Sequence, residues 1–567
     1  MKVFAPHMVD CYKLGHSSMY TEGTDFLYSN LTPRSNKYFK AQAAEGYDGK
    51  MVVFGTQGSI MEIVEDWNDS FFSKPKADVI RRYRRRLNGL LGEGVVSTAR
   101  MEALHDVGYL PLEIKSIDEG ARIGMKVPML TIKNTIPEFF WLVNYLETAL
   151  SNQIWQMTTN ATIAAEYKRI LVAAALRTGA AVENVLFQGH DFSMRGMPGY
   201  VAASRSGSGH LASFGGTDTV GAVDYIEDYY GFGLDLDAYF IAGSIPATEH
   251  AVSSSNILTR AKFLAEQGAT GDIRLMAEAD FLLHYINVLN PNGFCSYVAD
   301  TYDYWGLLTN VLTRDDVKAA IMKREGRLVI RPDSGDPLEV ICGMNPVVGE
   351  DGKAVEFETF EEVEQAMFDD TYDLCEADCV KVGGVFYAVV QEDFGPSIDQ
   401  DTIYPYEVVA GSIRTLYKIF GGTVNAAGFK ELDSHIGLIY GDSITLARAA
   451  AITTRLEAMG FASTNVVFGI GSYTYQCNTR DTFGTALKAT ATGVEGELFE
   501  IYKDPATGDK LKQSAKGLLY VGKDENGYYL RDQVPAETEQ TGELKVRFKD
   551  GLFFNLTNIQ EIRERLV

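Results

Sequence analysis

The run Arg331-Pro332-Asp333-Ser334-Gly335-Asp336-Pro337 packs an arginine, two carboxylates, a serine and a turn glycine directly behind the apolar segment Leu328-Val329-Ile330. A guanidinium fork suits phosphate oxygens, and carboxylates at Asp333 and Asp336 suit Mg2+ or a developing positive charge. The combination reads as a site for a phosphorylated, metal-bound sugar; the competing reading is a Pro/Gly/Asp turn with a surface ion pair. Gly243–His250 (GSIPATEH) sets Glu249 and His250 just past a proline-stiffened turn. A histidine there can move a proton or accept a phosphoryl group on nitrogen, although a lone histidine is more often a core or helix-capping residue. Gly189–Gly196 (GHDFSMRG) offers a flat ring in Phe192 and a cation in Arg195. Taken singly, such a phenylalanine usually packs in a core. Gly441-Asp442 and Gly469-Ile470-Gly471 let a ligand approach the backbone, without the full spacing of a dinucleotide fingerprint or a P-loop.

Elements must hold these runs together, and each run follows a short apolar segment. The segments are Val185-Leu186-Phe187, Tyr239-Phe240-Ile241, Leu328-Val329-Ile330, Gly437-Leu438-Ile439 and Val466-Val467-Phe468. Strands of this composition can be buried on both faces, so polar side chains appear only where the chain emerges and turns. Strand, polar turn and helix in repetition predict parallel β/α units whose turns gather at the carboxyl end of a barrel or sheet. The stretch after Tyr440 agrees: Leu446, Ala449, Ile452, Leu456 and Met459 recur at helical spacing, with Ser443 able to cap the start and Gly460 the end. That stripe is core.

The fold expected is therefore α/β, with a β/α barrel over residues 151–485 and an acidic, glycine-rich insertion at about 345–436 that caps or flanks the barrel without supplying catalytic groups. Residues 1–150 and 486–567 are expected to form a second, β-rich α+β domain, with turn signals at Asp524–Gly527 and Asp550-Gly551. The basic run Arg81–Arg86 reads as a solvated or subunit-facing helix surface.

Composition excludes several classes. With 46% hydrophobic and 23% charged residues the chain is an ordinary globular one, and no segment has the roughly 20 apolar residues of a membrane-spanning helix. The first apolar stretch stops at Pro6 and His7, too short for a secretory signal, so a cytoplasmic location is expected. The six cysteines are scattered, without the spacing of a disulfide framework or a zinc knuckle. A net charge of −24 argues against nucleic acid as a partner. It also means that a polyanionic substrate needs a local group of cations acting within a Debye length of ~8–10 Å.

Taken in order, the runs closely resemble the nicotinamide phosphoribosyltransferases, which are type II phosphoribosyltransferases, from Asp10 to the C-terminal strands. The matching segments are Asp10, Tyr12 and Lys13; HDFxxRG at 190–196; GTDT at 216–219; SIPAxEH at 244–250; DxYD at 300–303; RPDSGDP; Gly441-Asp442; TRD at 479–481; and KDP at 503–505. The resemblance implies an irregular β/α barrel and a homodimer with shared sites. It implies conversion of nicotinamide and phosphoribosyl pyrophosphate to nicotinamide mononucleotide and pyrophosphate with Mg2+, and ATP coupled through a phosphorylated His250.

By the same resemblance Phe192 and Tyr12 of the partner subunit sandwich the pyridine ring, and Asp218 accepts a hydrogen bond from the carboxamide while repelling the carboxylate of nicotinate. Arg195, Arg331 and His250 address the pyrophosphate, Asp333 faces the oxocarbenium-like ribose, and Glu249 and Asp300 orient the imidazole. Gly441, Asp442, Gly471 and Ser472 line the ribose and 5′-phosphate, with Ser244, Ala247, Ser296, Pro332 and Ile439 also lining the substrates. Arg34, Arg480 and Lys488 close on phosphate from the other protomer, with Lys503 nearby, and Asp333 and Asp336 are candidate Mg2+ ligands, directly or through water. The chain departs from the family pattern at Ala486, where serine is common, at Ser472, where glycine is usual, and at Asp336, an asparagine in some members. Nicotinate phosphoribosyltransferase, a non-catalytic phosphoribosyl-ligand binding protein and a metal-dependent phosphohydrolase are the rival readings.

Overall fold

The computed structural model describes residues 3–344, 355–368, 377–382, 385–390, 406–441, 443–502 and 515–566. Contacts divide the chain into two units, one of Met1–Tyr167, Ser193–Ala242 and Ser472–Val567, the other of Lys168–Phe192 and Gly243–Gly471.

The second unit holds a parallel sheet made of β1 (Gly189–Asp191), β2 (Cys295–Val298), β3 (Leu328–Arg331), β4 (Ile436–Tyr440) and β5 (Val466–Ile470), in the order β1-β5-β4-β3-β2. Val298 sits opposite Arg331, Leu438 opposite Ile330, Tyr440 opposite Phe468, and Ile470 opposite Asp191. Because every pairing is parallel, all these strands emerge at one edge. A single parallel bridge from Ala247 to Ser296 brings the chain ahead of His250 to the same edge. Tyr297, Leu328, Ile330, Phe468 and Ile470 are fully buried, which is what strands covered on both faces require. Helices alternate with the strands: α1 (His250–Glu266), α2 (Ile273–His284), α3 (Pro337–Cys342), α4 (Tyr406–Phe420) and α5 (Leu446–Ala458). This is the expected α/β alternation.

Three local expectations are corrected. Val185-Leu186-Phe187 is not a strand but lies in a 3-10 turn over Val182–Phe187, and β1 begins two residues later. The Gln188 side-chain amide donates to the carbonyls of Ser463 and Val466, which pins the chain beside β5 only from residue 189 onward. Tyr239-Phe240-Ile241 is not a strand either: the Ile241 carbonyl, which a ladder would use, accepts from the Arg563 guanidinium at 2.6 Å. The cap of α5 is Thr445, whose hydroxyl accepts from the Arg448 amide, whereas Ser443 has a left-handed φ of 58°. Strand β2 had no counterpart among the apolar runs singled out above, since Cys295-Ser296-Tyr297-Val298 is short and interrupted by a serine.

Within the stretch 345–436 the described residues form two pieces. Phe357, Val363, Cys379, Phe386 and Ala388 make a small core of their own between the helix Phe360–Phe368 and the hairpin Ala377–Val382/Val385–Val390. Helix α4 instead occupies the crossover between β3 and β4, with the Ser412 hydroxyl donating to the Val340 carbonyl at 2.5 Å and lying 2.6 Å from the Tyr304 hydroxyl.

The first unit is built on an antiparallel sheet with the order Glu497–Glu500, Ala486–Val494, Thr24–Thr32, Leu130–Asn134, Leu112–Ser116, Lys545–Lys549 and Leu552–Phe553. N-terminal and C-terminal strands interleave in it. Asp524 and Gly527 close one C-terminal hairpin, and Asp550 with Gly551 turns the last, both at positive φ. On the helix Lys76–Leu91, Tyr83 and Leu87 face inward while Arg81, Arg82 and Arg84–Arg86 are exposed. Among the described residues no helix is long and apolar enough to cross a membrane.

Candidate active site

The RPDSGDP run is three elements in seven residues. Arg331 ends β3, Gly335 turns the chain at a φ of 91°, and Asp336 is the N-cap of α3, accepting from the Leu338 and Glu339 amides, with Pro337 at the first helical position. The second Asp336 oxygen lies 3.7 Å from Arg448. What remains for chemistry is Arg331 and Asp333. One Arg331 Nη donates to the Thr248 carbonyl at 3.0 Å, while its Nε is buried without a partner. Thr248 is tied down in turn, its hydroxyl accepting from the Val298 amide and its own amide donating to the Ser296 carbonyl.

His250 opens α1, half exposed, directly after an extended Glu249 whose side chain makes no cap bond. Its Nδ1 is 3.1 Å from the Thr301 hydroxyl, and its Nε2 is 3.8 Å from an Asp333 oxygen and 3.9 Å from an Asp300 oxygen. Asp300 is almost wholly buried and its two oxygens differ. Oδ2 accepts from the Asp333 amide at 2.9 Å and the Ser334 hydroxyl at 2.7 Å, while Oδ1 is buried with no hydrogen-bond partner. Asp300 thus organises the turn with one oxygen and leaves the other toward His250. Thr248 and Thr301 are the members of this site that sequence reasoning did not name, and Ser334 was named without a role; only adjacency to the Glu249-His250 and DxYD runs could have pointed to the two threonines.

Two glycines make the floor of the site. A methyl group on Gly441 would stand 3.0 Å from an Asp333 oxygen, and one on Gly469 would stand 2.8 Å from the Gly441 Cα and 2.9 Å from the Phe192 ring. Phe192, Gly469, Gly441, Asp333 and His250 therefore form a contiguous line, with the aromatic ring at one end and the imidazole at the other. The Phe192 amide donates to the Ile470 carbonyl, extending β1 by one bond, and His190 packs against the ring at a centroid distance of 4.6 Å. Ser296, Pro332 and Ile439 are buried on this same edge, and Ser296 Oγ has no partner. Ser244 and Ala247 are exposed, and Gly471 directly follows β5.

Behind β2, away from this edge, Tyr297 donates to a Glu278 oxygen at 3.1 Å. Burial pushes the Glu278 carboxyl up to about 7; the Tyr297 bond opposes the shift, and the charges of Asp303 and Asp272 add to it.

The first unit collects a different set. Arg34 Nε donates to the Gly484 carbonyl at 2.6 Å, and the Arg34 and Ser35 amides both donate to the Phe483 carbonyl. Lys488 stands opposite Asn30 on neighbouring strands, and the Thr485 amide donates to the Arg480 carbonyl. Arg34 and Arg480 therefore flank the same turn, and Lys488 lies on the strand that follows it. Tyr12 is 62% exposed, with its ring tilted against His16 and Lys13 above it. Arg195 is exposed in a short 3-10 turn, Asp218 is exposed just ahead of the helix Val220–Tyr230, and Ser472 closes against Gly196, where a Cβ would sit 2.0 Å from its hydroxyl. Asp442 and Lys503 lie outside the described residues.

A divalent cation fits this edge only as a shared ligand. Among the described residues no three His, Cys, Asp or Glu side chains are arranged to hold a metal by themselves. Mg2+ commonly takes one or two carboxylates and completes its shell with water and substrate phosphates. Asp333, about one-third exposed, suits that role; Asp336, already a helix cap, could contribute its second oxygen or a water.

Comparison with known proteins places this geometry. The model of the nicotinate phosphoribosyltransferase (NAPRTase) family matches residues 187–551. A nicotinamide phosphoribosyltransferase of Acinetobacter baylyi is 42% identical over 565 residues, spanning 98% of this chain and 96% of its own. One from Mycoplasma pneumoniae is 30% identical over 521 residues, spanning 90% and 93%. Another, from Xanthomonas campestris, is 26% identical over 568 residues, spanning 98% and 96%.

Proposed function

The chain belongs to the nicotinate phosphoribosyltransferase family of pentosyltransferases, and from that premise we propose that it converts nicotinamide and phosphoribosyl pyrophosphate to nicotinamide mononucleotide and pyrophosphate. The observation that carries the reading is the meeting of Arg331, Asp333, Asp300 and His250 at the carboxyl edge of one parallel sheet, beside a glycine floor that ends in Phe192. Breaking the bond from the anomeric carbon to pyrophosphate develops positive charge on the ribose and negative charge on the leaving group, and a site must favour both. Asp333 faces the ribose cation. Arg331 takes pyrophosphate oxygens with its fork, the Thr248 carbonyl holding one arm of the guanidinium in place. Bound Mg2+ would supply charge neutralisation to the departing pyrophosphate, with Asp333 as the protein donor and Asp336 as a second donor, directly or through water.

Phe192 offers one face to the pyridine ring, and Asp218 selects carboxamide over carboxylate by accepting a hydrogen bond from the first and repelling the second. Arg195 joins Arg331 on the pyrophosphate, and Gly441, Asp442, Gly471 and Ser472 receive the ribose and 5′-phosphate. We further propose a homodimer in which Tyr12, Arg34, Arg480 and Lys488, with Lys503, complete the site of the other protomer. ATP coupling is assigned to His250, which accepts a phosphoryl group while Glu249 and Asp300 orient it. A cytoplasmic location accords with the free thiols of Cys295 and Cys342.

The deciding assay offers pure protein Mg2+, phosphoribosyl pyrophosphate and either nicotinamide or nicotinate, with and without ATP. Nicotinamide mononucleotide should form, faster with ATP, and nicotinate should react poorly. A preference for nicotinate would transfer the reading to the sister activity, and an inert but ligand-binding protein would refute catalysis altogether.

A further inference from the structure

Thr301 is engaged with the imidazole in a way no role assigned above accounts for. Its hydroxyl is 3.1 Å from His250 Nδ1, and among the described residues this is the one contact of hydrogen-bond length to the ring; the carboxylates near Nε2, at 3.8 and 3.9 Å, are too distant to be hydrogen-bonded. The hydrogen bond at one imidazole nitrogen sets which nitrogen carries the proton. If Nδ1–H donates to Thr301, the lone pair lies on Nε2, at the strand edge beside Asp333. With the opposite tautomer the lone pair would point into the Thr301 side chain, where no phosphoryl group can approach.

The loop carrying Thr301 is clamped on both sides. Asp300 accepts from the Asp333 amide and the Ser334 hydroxyl, and the Tyr302 hydroxyl lies 2.7 Å from that of Ser254, one turn beyond His250 on α1. Arg274 covers the Tyr302 ring at 4.5 Å. A threonine held this way fixes the ring plane as well as the tautomer.

We propose that Thr301 is the positioning residue of His250 and that the phosphoryl group is accepted on Nε2. The inference rests on the ATP coupling of His250 proposed above. In the step, the Nε2 lone pair forms a bond to the γ-phosphorus of ATP, the bond from that phosphorus to the bridging oxygen breaks, and ADP leaves with the electron pair. The ring becomes a phosphoimidazolium cation, its Nδ1 proton still donated to Thr301. The partnerless Oδ1 of Asp300 then faces a positive ring.

The test incubates the full-length protein with γ-labelled ATP and Mg2+ and identifies the phosphohistidine isomer at His250 by isomer-specific antibodies and 31P NMR. Wild type should carry phosphate on Nε2 alone. Thr301→Val, which keeps the shape but removes the acceptor, should lose at least about tenfold in labelling and scatter the remaining label over both nitrogens, and Thr301→Ser should restore amount and isomer. Phosphate on Nδ1 in wild type would overturn the proposal, as would a folded Thr301→Val variant labelled on Nε2 at the wild-type rate. Should Thr301→Val fail to fold, the wild-type isomer and the Thr301→Ser variant still decide. A wild-type protein that takes no label on His250 would remove the ATP coupling itself, and this inference with it.

Discussion

Two regions use buried acids in opposite ways. In the antiparallel sheet of the first unit, Glu539 and Lys115 are both nearly inaccessible and 2.9 Å apart, Glu113 binds Lys133 and Lys549 at 2.9 Å each, and Asp118 binds Lys545 at 2.6 Å and Arg547 more closely. At the carboxyl edge of the parallel sheet, Asp300 keeps an oxygen with no partner, and behind that sheet Glu278 has one too. Burying a charge costs several kcal/mol unless it is paired and hydrogen-bonded. Paired acids of the first kind are spent on holding strands together. Unpaired ones of the second kind part company: Asp300 turns its open oxygen toward His250, whereas burial at Glu278 favours the neutral carboxyl.

The largest effect should come from Asp333→Ala, which removes a carboxylate about one-third exposed from the site without opening the core. We expect kcat/KM to fall 10^3- to 10^4-fold, about 4–5.5 kcal/mol of transition-state stabilisation, with the melting temperature nearly unchanged. A melting transition that collapsed with activity would dissolve the contrast between the two regions. Glu539→Ala should do the reverse. It leaves buried Lys115 with two neutral oxygens, the residue-539 carbonyl and Gln540 Oε1, and Glu113 at 4.0 Å, so unfolding free energy in denaturant should drop by about 2–4 kcal/mol while the turnover of the folded fraction is retained.

Gly441→Ala sharpens the comparison at the level of a single methyl group. The added carbon would press on Asp333 without demanding a left-handed backbone, so we expect about a 10^2-fold loss in kcat/KM and less than about 1 kcal/mol in stability. The smallest effect is a pH dependence. Because burial raises the folded Glu278 pKa to about 7 from 4.5, its contribution is fully present below pH 4.5 and is lost as pH rises toward about 7. Glu278→Gln should therefore gain about 1–2 kcal/mol over wild type at pH 8 and nothing below pH 4.5, measured by chemical denaturation across that range. Glu113 has the opposite sign: burial raises its pKa, but the bonds from Lys549 and Lys133 outweigh that and hold it below the usual range, so its stabilisation is lost only in acid.

Much of the site was legible because β3, β4 and β5 are apolar runs followed within two residues by Asp or Gly, and chemistry at such ends needs residues that burial would otherwise forbid. Strand β1 was displaced by two residues since its own sequence, Gly-His-Asp, carries no apolar signal; its place comes from pairing with β5 and from the Gln188 side chain. Tyr239–Ile241 has the composition of a strand, yet its carbonyls belong to Arg563, more than 300 residues away in sequence. Ser443 and Thr445 are equally good caps by type, and only the left-handed turn at Ser443 excludes it.

What the residues determined alone was the inventory: the alternating elements, the acidic balance, the Arg331–Asp333 and Glu249–His250 pairs, and the glycines where the backbone must be approached. Those properties follow from local sterics and from which side chains tolerate burial. Tertiary structure alone decided which oxygen of Asp300 is spoken for, that Asp336 serves as a helix cap, and which imidazole nitrogen of His250 lies within hydrogen-bond reach of Thr301. Such assignments depend on hydrogen bonds between segments tens of residues apart, and a linear order of residue types carries no distance between them.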